Sequence, residues 1–269
     1  MFIPENIDLG QSEKYILSIR IEPNRFMFSI SEPNYGKSFC LRDTTFSTEI
    51  TLLNNIQRII FDFNFLTQEF LETNVIIVSP EYDFVPSAYF GEHEKIDLYN
   101  RTHTDKAERI LSNKNEKYSC VNQFKIDEDI YEFLSRSLFN PKYTHHTSLL
   151  VDLFGDKGKS VSLTSKMFLN FHNNLLDIIC FKNSKFTHCL TYENEPASNL
   201  VYFILKLWEQ CEFDQLTDQL YIAGSPEEEI KHMLQEYIKN INPVDTPREV
   251  YLWNEDALKA PLDLITLSL

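Results

Sequence analysis

Apolar residues take every second position near the start of the chain. "KYILSIRI" (14–21) and "RFMFSIS" (25–31) both alternate in this way, and the "EPN" between them completes the pattern of a β-hairpin. "KSFCLRDTTF" (37–46), after the turn sequence "PNYG", predicts a third strand. The period then changes. Over 51–73, Leu52, Ile56, Ile59, Ile60, Phe63, Leu66 and Phe70 recur at helical spacing, which predicts one long amphipathic helix with a buried face. "NVIIVSP" (74–80) is a continuously apolar strand stopped by Pro80.

From Gly91 to Lys117 the chain is polar and weakly patterned, and reads as helix and loop near a domain boundary. "SCVNQFKI" (119–126) then predicts a strand, and "DEDIYEFLSRSLF" (127–139) a helix with Asp127 near its N-cap. After these the opening pattern returns. "SKMFLNF" (165–171), "LLDIICFKN" (175–183) and "KFTHCLTYE" (185–193) are three strands in succession. A long helix (196–213) opens on Pro196 and is followed by a strand, "DQLYIAG" (218–224), that ends at Gly224. A helix with acids in its first turn (225–240) and a last strand, "REVYLW" (248–253), precede a leucine-rich tail. Three strands, a long helix and a strand thus occur twice. The expected fold is α/β with mixed sheets, an internal duplication whose halves span 12–116 and 117–269.

Composition narrows the partners. With 269 residues the chain can bury a real core, and 21 Phe with 13 Tyr exclude a disordered protein. The formal net charge of −15 repels nucleic-acid phosphates and anionic lipid, which leaves proteins or small molecules as partners. No apolar run approaches the roughly 20 residues of a spanning helix, so no membrane insertion is expected. The first residues lack the basic start and apolar core of a signal peptide, and the five scattered cysteines form no C-x-x-C. Both features predict a cytoplasmic protein with reduced thiols.

Motif chemistry is sparse. Two "GKS" tripeptides, at 36–38 and 158–160, lack the glycine that a P-loop carries five positions earlier, where Ser31 and Leu153 stand. His145 and His146 are adjacent with no ligand-spaced acid or cysteine beside them, and His93 lacks the second His of H-E-x-x-H, so no metal site is expected. His172 and His188 read as exposed or hydrogen-bonded structural residues. No nucleophile–base arrangement stands out, and no catalytic residue is assigned.

The repeated order, with a hairpin opening each half, resembles the ribonuclease H-like, actin-like ATPase superfamily of actin, sugar kinases and Hsp70 chaperones. The resemblance implies two halves around a cleft, a phosphate loop of Asp-apolar-Gly form in each hairpin, and a Gly-Gly motif supporting adenosine. Laid on this chain, the first loop falls on "RIEPNRFMFS", with Arg20 at the acid position and Glu22 at the glycine position. The second falls on "NFHNNLLDII", with Asn170 at the acid position and His172, Asn173 and Asn174 in place of glycines. Asp177 matches an acid further along in chaperone-type loops, and Gly224 keeps the first glycine of the adenosine motif while Ser225 replaces the second.

The hairpin "YILSIRI…RFMFSI", the "NVIIVSP" strand and "FLNFHNNLLDIICFKNSKF" resemble, more closely, a small bacterial family of unknown function with an actin-like ATPase fold. Its plan is similar to that of actin-like cytoplasmic scaffolds of pilus and secretion machinery. The expectation is a non-catalytic protein-binding scaffold or adaptor with degenerate nucleotide loops and no cofactor. The alternative is a switch or weak ATPase that holds ATP and Mg²⁺ through Asn170, Asp177 and Gly224.

Overall fold

The computed structural model describes residues 3–4, 7–33, 38–157, 164–193, 195–244, 250 and 255–268. The chain divides into two compact units, 1–149 with 246–269, and 150–245. Residues 34–36 of the "PNYG" turn, both "GKS" glycines and the "REVYLW" strand, Val250 apart, lie outside the described residues.

The first unit begins with β1 (Ile16–Ile21), β2 (Arg25–Ser31), β3 (Phe39–Thr45), α1 (Leu52–Asp62) and β4 (Glu72–Ile77). It continues through β5 (Tyr82–Pro86), α2 (Lys95–Thr102), β6 (Arg109–Asn115), β7 (Cys120–Ile126), α3 (Glu128–Ser137) and β8 (Lys142–His145). Its main sheet has the order β3-β2-β1-β4-β8. The two hairpin contacts are antiparallel, and β4 runs parallel to both β1 and β8. Asp127 caps α3, its side chain accepting from Ile130 N at 3.0 Å.

The helix expected over 51–73 is shorter. α1 stops at Asp62 because Phe63 leaves helical backbone (φ −113°, ψ 62°), and a 3-10 turn follows over Asn64–Thr67. Phe63 and Phe65 then turn onto Phe28 of β2, with ring centroids 6.2 and 5.7 Å away. Aromatic packing wins over continuation of the helical period, and Leu52 stays at the surface.

The stretch read as helix and loop contains more sheet than its pattern suggests. β5, β7 and β6 form a separate three-stranded antiparallel sheet, in which β6 is polar and only partly covered. β8 adds to β4, pairing Asn74 with Lys142 through Ile77 with His145, within the unit that comprises 1–149 and 246–269.

α4 (His146–Lys157) leads into the second unit, formed by β9 (Lys166–His172), β10 (Leu175–Lys182), β11 (Lys185–Glu193), α5 (Ala197–Gln210), β12 (Gln219–Gly224), α6 (Glu228–Gln235) and β13 (Ile241–Pro243). Its sheet, β11-β10-β9-β12-β13, repeats the order and strand directions of the first. One core joins Val201, Ile204, Leu207 and Trp208 of α5 to Leu169, Ile178 and Leu220 of the sheet.

The chain ends with α7 (Glu255–Lys259) and α8 (Leu262–Thr266), which belong to the first unit. One face of its sheet, carrying Phe28, meets the aromatic turn after α1. The opposite face carries Arg20 and Ser31, and the returning helices reach it: Arg20 Nε donates to Asp263 Oδ2 at 2.7 Å, and Ser31 and Ser268 hydroxyls pair at 3.0 Å. At the sheet edge, Asp256 accepts from Leu41 N (3.2 Å) and from Arg42 (2.8 Å).

Glu22 still faces Arg20 when Asp263 is removed, but the buried Arg20 Nε donor is left without its acceptor, so Asp263→Ala is expected to lower unfolding free energy by about 2 kcal/mol. Asp256→Ala, at a half-exposed pair, is expected to cost under about 1 kcal/mol. Urea unfolding of the two variants beside the parent measures both.

Candidate functional site

The second hairpin turns through Asn173 and Asn174, with Asn173 at φ 49°. Asparagine tolerates this left-handed backbone, so a two-residue turn closes without glycine. His172 and Leu175 are cross-strand partners flanking it, and Asn170 lies opposite Asp177.

Asp177 is fully buried. Its Oδ1 accepts from Thr191 Oγ1 at 2.7 Å. Its Oδ2 accepts from Asn170 Nδ2 at 3.0 Å and from His172 Nε2 at 2.7 Å. A carboxylate out of water needs such donors, and these come from β9 and β11 on either side of β10. Asn170 and Asp177 are therefore brought together, as part of a three-strand tie.

Gly224, the last residue of β12, pairs with Phe171 of β9 in the same sheet. Its φ is +78°, and a Cβ there would lie 1.8 Å from the Phe171 carbonyl oxygen. Backbone passing against backbone accounts for the glycine.

In the first hairpin Glu22 N donates to Arg25 O at 2.9 Å across Pro23 and Asn24. Arg20, 1% exposed, forms ion pairs with Glu22 and Asp263. The acid position of the resembled loop thus holds a guanidinium already matched by two buried carboxylates.

Two features had no motif to announce them. The first is a polar cluster in the first unit. His145 N donates to Asn113 Oδ1 (2.8 Å), His145 Nδ1 pairs with Thr147 Oγ1 (2.7 Å), and Asn122 Nδ2 donates to Thr147 and Ser148 hydroxyls at 3.0 and 2.9 Å. It joins the three-stranded sheet to the start of α4. The adjacent His145 and His146 are both buried, with ring centroids 4.5 Å apart. Scattered Asn, Thr and Ser residues give no periodic signal, so only the tertiary structure reveals the cluster.

The second is an open groove of about 500 Å³ between α1 and α3, lined by Leu53, Gln57, Asp129, Phe133 and Arg136. Beside it Phe61 is 71% exposed, its ring edge-on to Phe133 at 6.0 Å. The available signal was Phe61 itself, an aromatic next to the buried Ile59–Ile60 pair on a helix whose apolar face was already full.

No helix among the described residues is long and apolar enough to cross a membrane. The model of a family described as "Protein of unknown function (DUF3822)" matches residues 4–241. No curated protein matches the chain. A crystal structure from Bacteroides thetaiotaomicron, described as a protein with actin-like ATPase fold and unknown function, is similar with a TM-score of 0.85 and 23% identity, covering 97% of this chain and 98% of that one. A chain of a PilM–PilN type IV pilus biogenesis complex is similar with a TM-score of 0.62 and 9% identity, covering 94% of this chain and 97% of that one. At these identities the likeness concerns the fold, which is that of the actin-like ATPases.

The Asp177 tie predicts a stability phenotype. Asp177→Ala strands the Asn170 and Thr191 donors and is expected to cost about 3 kcal/mol, read as a lower denaturation midpoint at unchanged m-value.

Proposed function

We propose, for a chain that belongs to the DUF3822 family and has the actin-like ATPase fold, a non-catalytic role as a protein-binding scaffold or adaptor. The observation that carries this reading is the filled first hairpin. Arg20 takes the place of a metal-handling acid, and its charge is matched internally by Glu22 and Asp263. A phosphate group there would meet the Glu22 and Asp263 carboxylates that hold Arg20.

The second hairpin supports the same reading. Histidine and asparagine side chains stand where glycine amides would approach phosphate, and both Asp177 oxygens are engaged by neighbouring side chains. ATP with Mg²⁺ bound through Asn170, Asp177 and Gly224 is thus the weaker alternative.

The α1–α3 groove is the docking surface on this reading. Phe61 and Phe133 offer an aromatic anchor, and Asp129 and Arg136 supply a polar rim. The similar PilM chain comes from a complex with another protein, which agrees with an adaptor role without naming a partner here.

Immobilised protein exposed to lysate of the source cells is expected to retain a stoichiometric partner. Phe61→Asp, at an exposed site, is expected to weaken that capture by at least about 2 kcal/mol, roughly thirtyfold, with the melting temperature unchanged. Absence of any stoichiometric partner, or capture indifferent to Phe61, overturns the proposal.

A further inference from the structure

The second unit holds three of the five cysteines, and two of them meet a histidine. Cys180 lies on β10 beneath α5, and Cys211 is the residue that ends α5. Both belong to the core between helix and sheet. His188, opposite Cys180 across the β10–β11 pair, has its Nδ1 3.4 Å from Cys211 Sγ. Cys180 and Cys211 share that core, and the histidine opposite Cys180 is the one that meets Cys211, so both thiols stand around one imidazole. His188 is exposed, so the group beside Cys211 is in contact with solvent.

We propose that Cys211 and Cys180 form an oxidisable dithiol, with Cys211 as the thiol that reacts with a peroxide and Cys180 as the thiol that resolves it into a disulfide. The geometry supplies each part. His188 Nδ1 is placed to accept the Cys211 proton. A helix C-terminus carries partial negative charge that opposes a thiolate. Here Lys182 Nζ donates to the Cys211 carbonyl at 3.1 Å and puts an ammonium at that helix end.

The electrostatics agree. The Cys180 thiol, with the Lys182 charge adding to it, holds the Cys211 thiol below its ordinary range although burial acts the other way. Burial keeps the Cys180 thiol well above that range, so it is the proton-bearing member of the pair. Burial likewise pushes the Cys40 thiol up, to about 11.

The step balances with hydrogen peroxide as oxidant. The Cys211 thiolate attacks one peroxide oxygen, the O–O bond breaks, and the leaving hydroxide takes the proton held by His188 as water. The Cys211 sulfenic sulfur is then attacked by Cys180, the S–O bond breaks, and a second water leaves with the Cys180 proton. Two thiols have lost two electrons, and the peroxide has gained them.

The test is peroxide treatment of the folded chain, followed by denaturing alkylation and peptide mapping. The expected product is one disulfide joining Cys180 to Cys211, reversed by a dithiol reductant. Cys180→Ser should halt Cys211 at the sulfenic acid, trapped as a dimedone adduct, and Cys211→Ser should leave Cys180 reduced. His188→Asn, on the exposed edge strand, should slow disulfide formation roughly tenfold or more with an unchanged melt. A disulfide joining other cysteines, oxidation confined to the more exposed Cys189, or a rate indifferent to His188 overturns the proposal.

Discussion

A guanidinium taken out of water has to be matched by carboxylates, and in this protein the match for Arg20 is made partly from the other end of the chain. Glu22 is two residues away, but Asp263 is 243 residues along the sequence. The first sheet therefore cannot bury its Arg20 face until the second unit has been synthesised and α7 and α8 return. That face also carries the buried Ser18, Ser29 and Ser31, so the returning helices cover polar positions that water would otherwise fill.

The second sheet solves a related problem with the opposite charge. Its buried ion is the Asp177 carboxylate, matched by neutral or ring donors from the strands on both sides. In both hairpins, polar groups at the positions that the resemblance assigns to a phosphate loop bind one another. A loop that grips phosphate must leave amides, hydroxyls or acids open to the ligand, since a hydrogen bond made internally has to be broken before a new one forms. The same strand order therefore appears twice in the chain, with the chemistry of each hairpin directed inward.

Much of this was legible in the sequence where local pattern and tertiary outcome agree. Alternation over 16–21 and 25–31 and the apolar "NVII" run marked strands correctly, although both faces of β1 and β2 are buried and the alternation records only which face is polar. Asp127 and Pro196 marked helix starts through short-range backbone chemistry, and each helix begins at the next residue. The three-stranded sheet was not legible because β6, "RILSNKN", is polar on both faces and is held by pairing with β7 rather than by a buried stripe. α1 was read too long because Phe63, Leu66 and Phe70 keep helical spacing while their rings and side chains serve a turn.

The site divides in the same way. Asn170, Asp177 and Gly224 were picked out by resemblance, and each has a structural occupation that no spacing could reveal: two in one hydrogen-bonded tie, one against a carbonyl oxygen. The Arg20–Asp263 pair was invisible because it joins residues at opposite ends of the chain. The Phe61–Phe133 groove depends on how two helices meet, which binary pattern does not encode.

The most direct measurement is a thermal melt of the purified chain with and without millimolar Mg-ATP. If the hairpins are internally satisfied, the midpoint stays where it is. A ligand present at about 100 times its dissociation constant would stabilise the native state by roughly 2.7 kcal/mol, a rise of several degrees for a chain of this size. Such a rise would contradict the inward-turned hairpins and return ATP to the molecule.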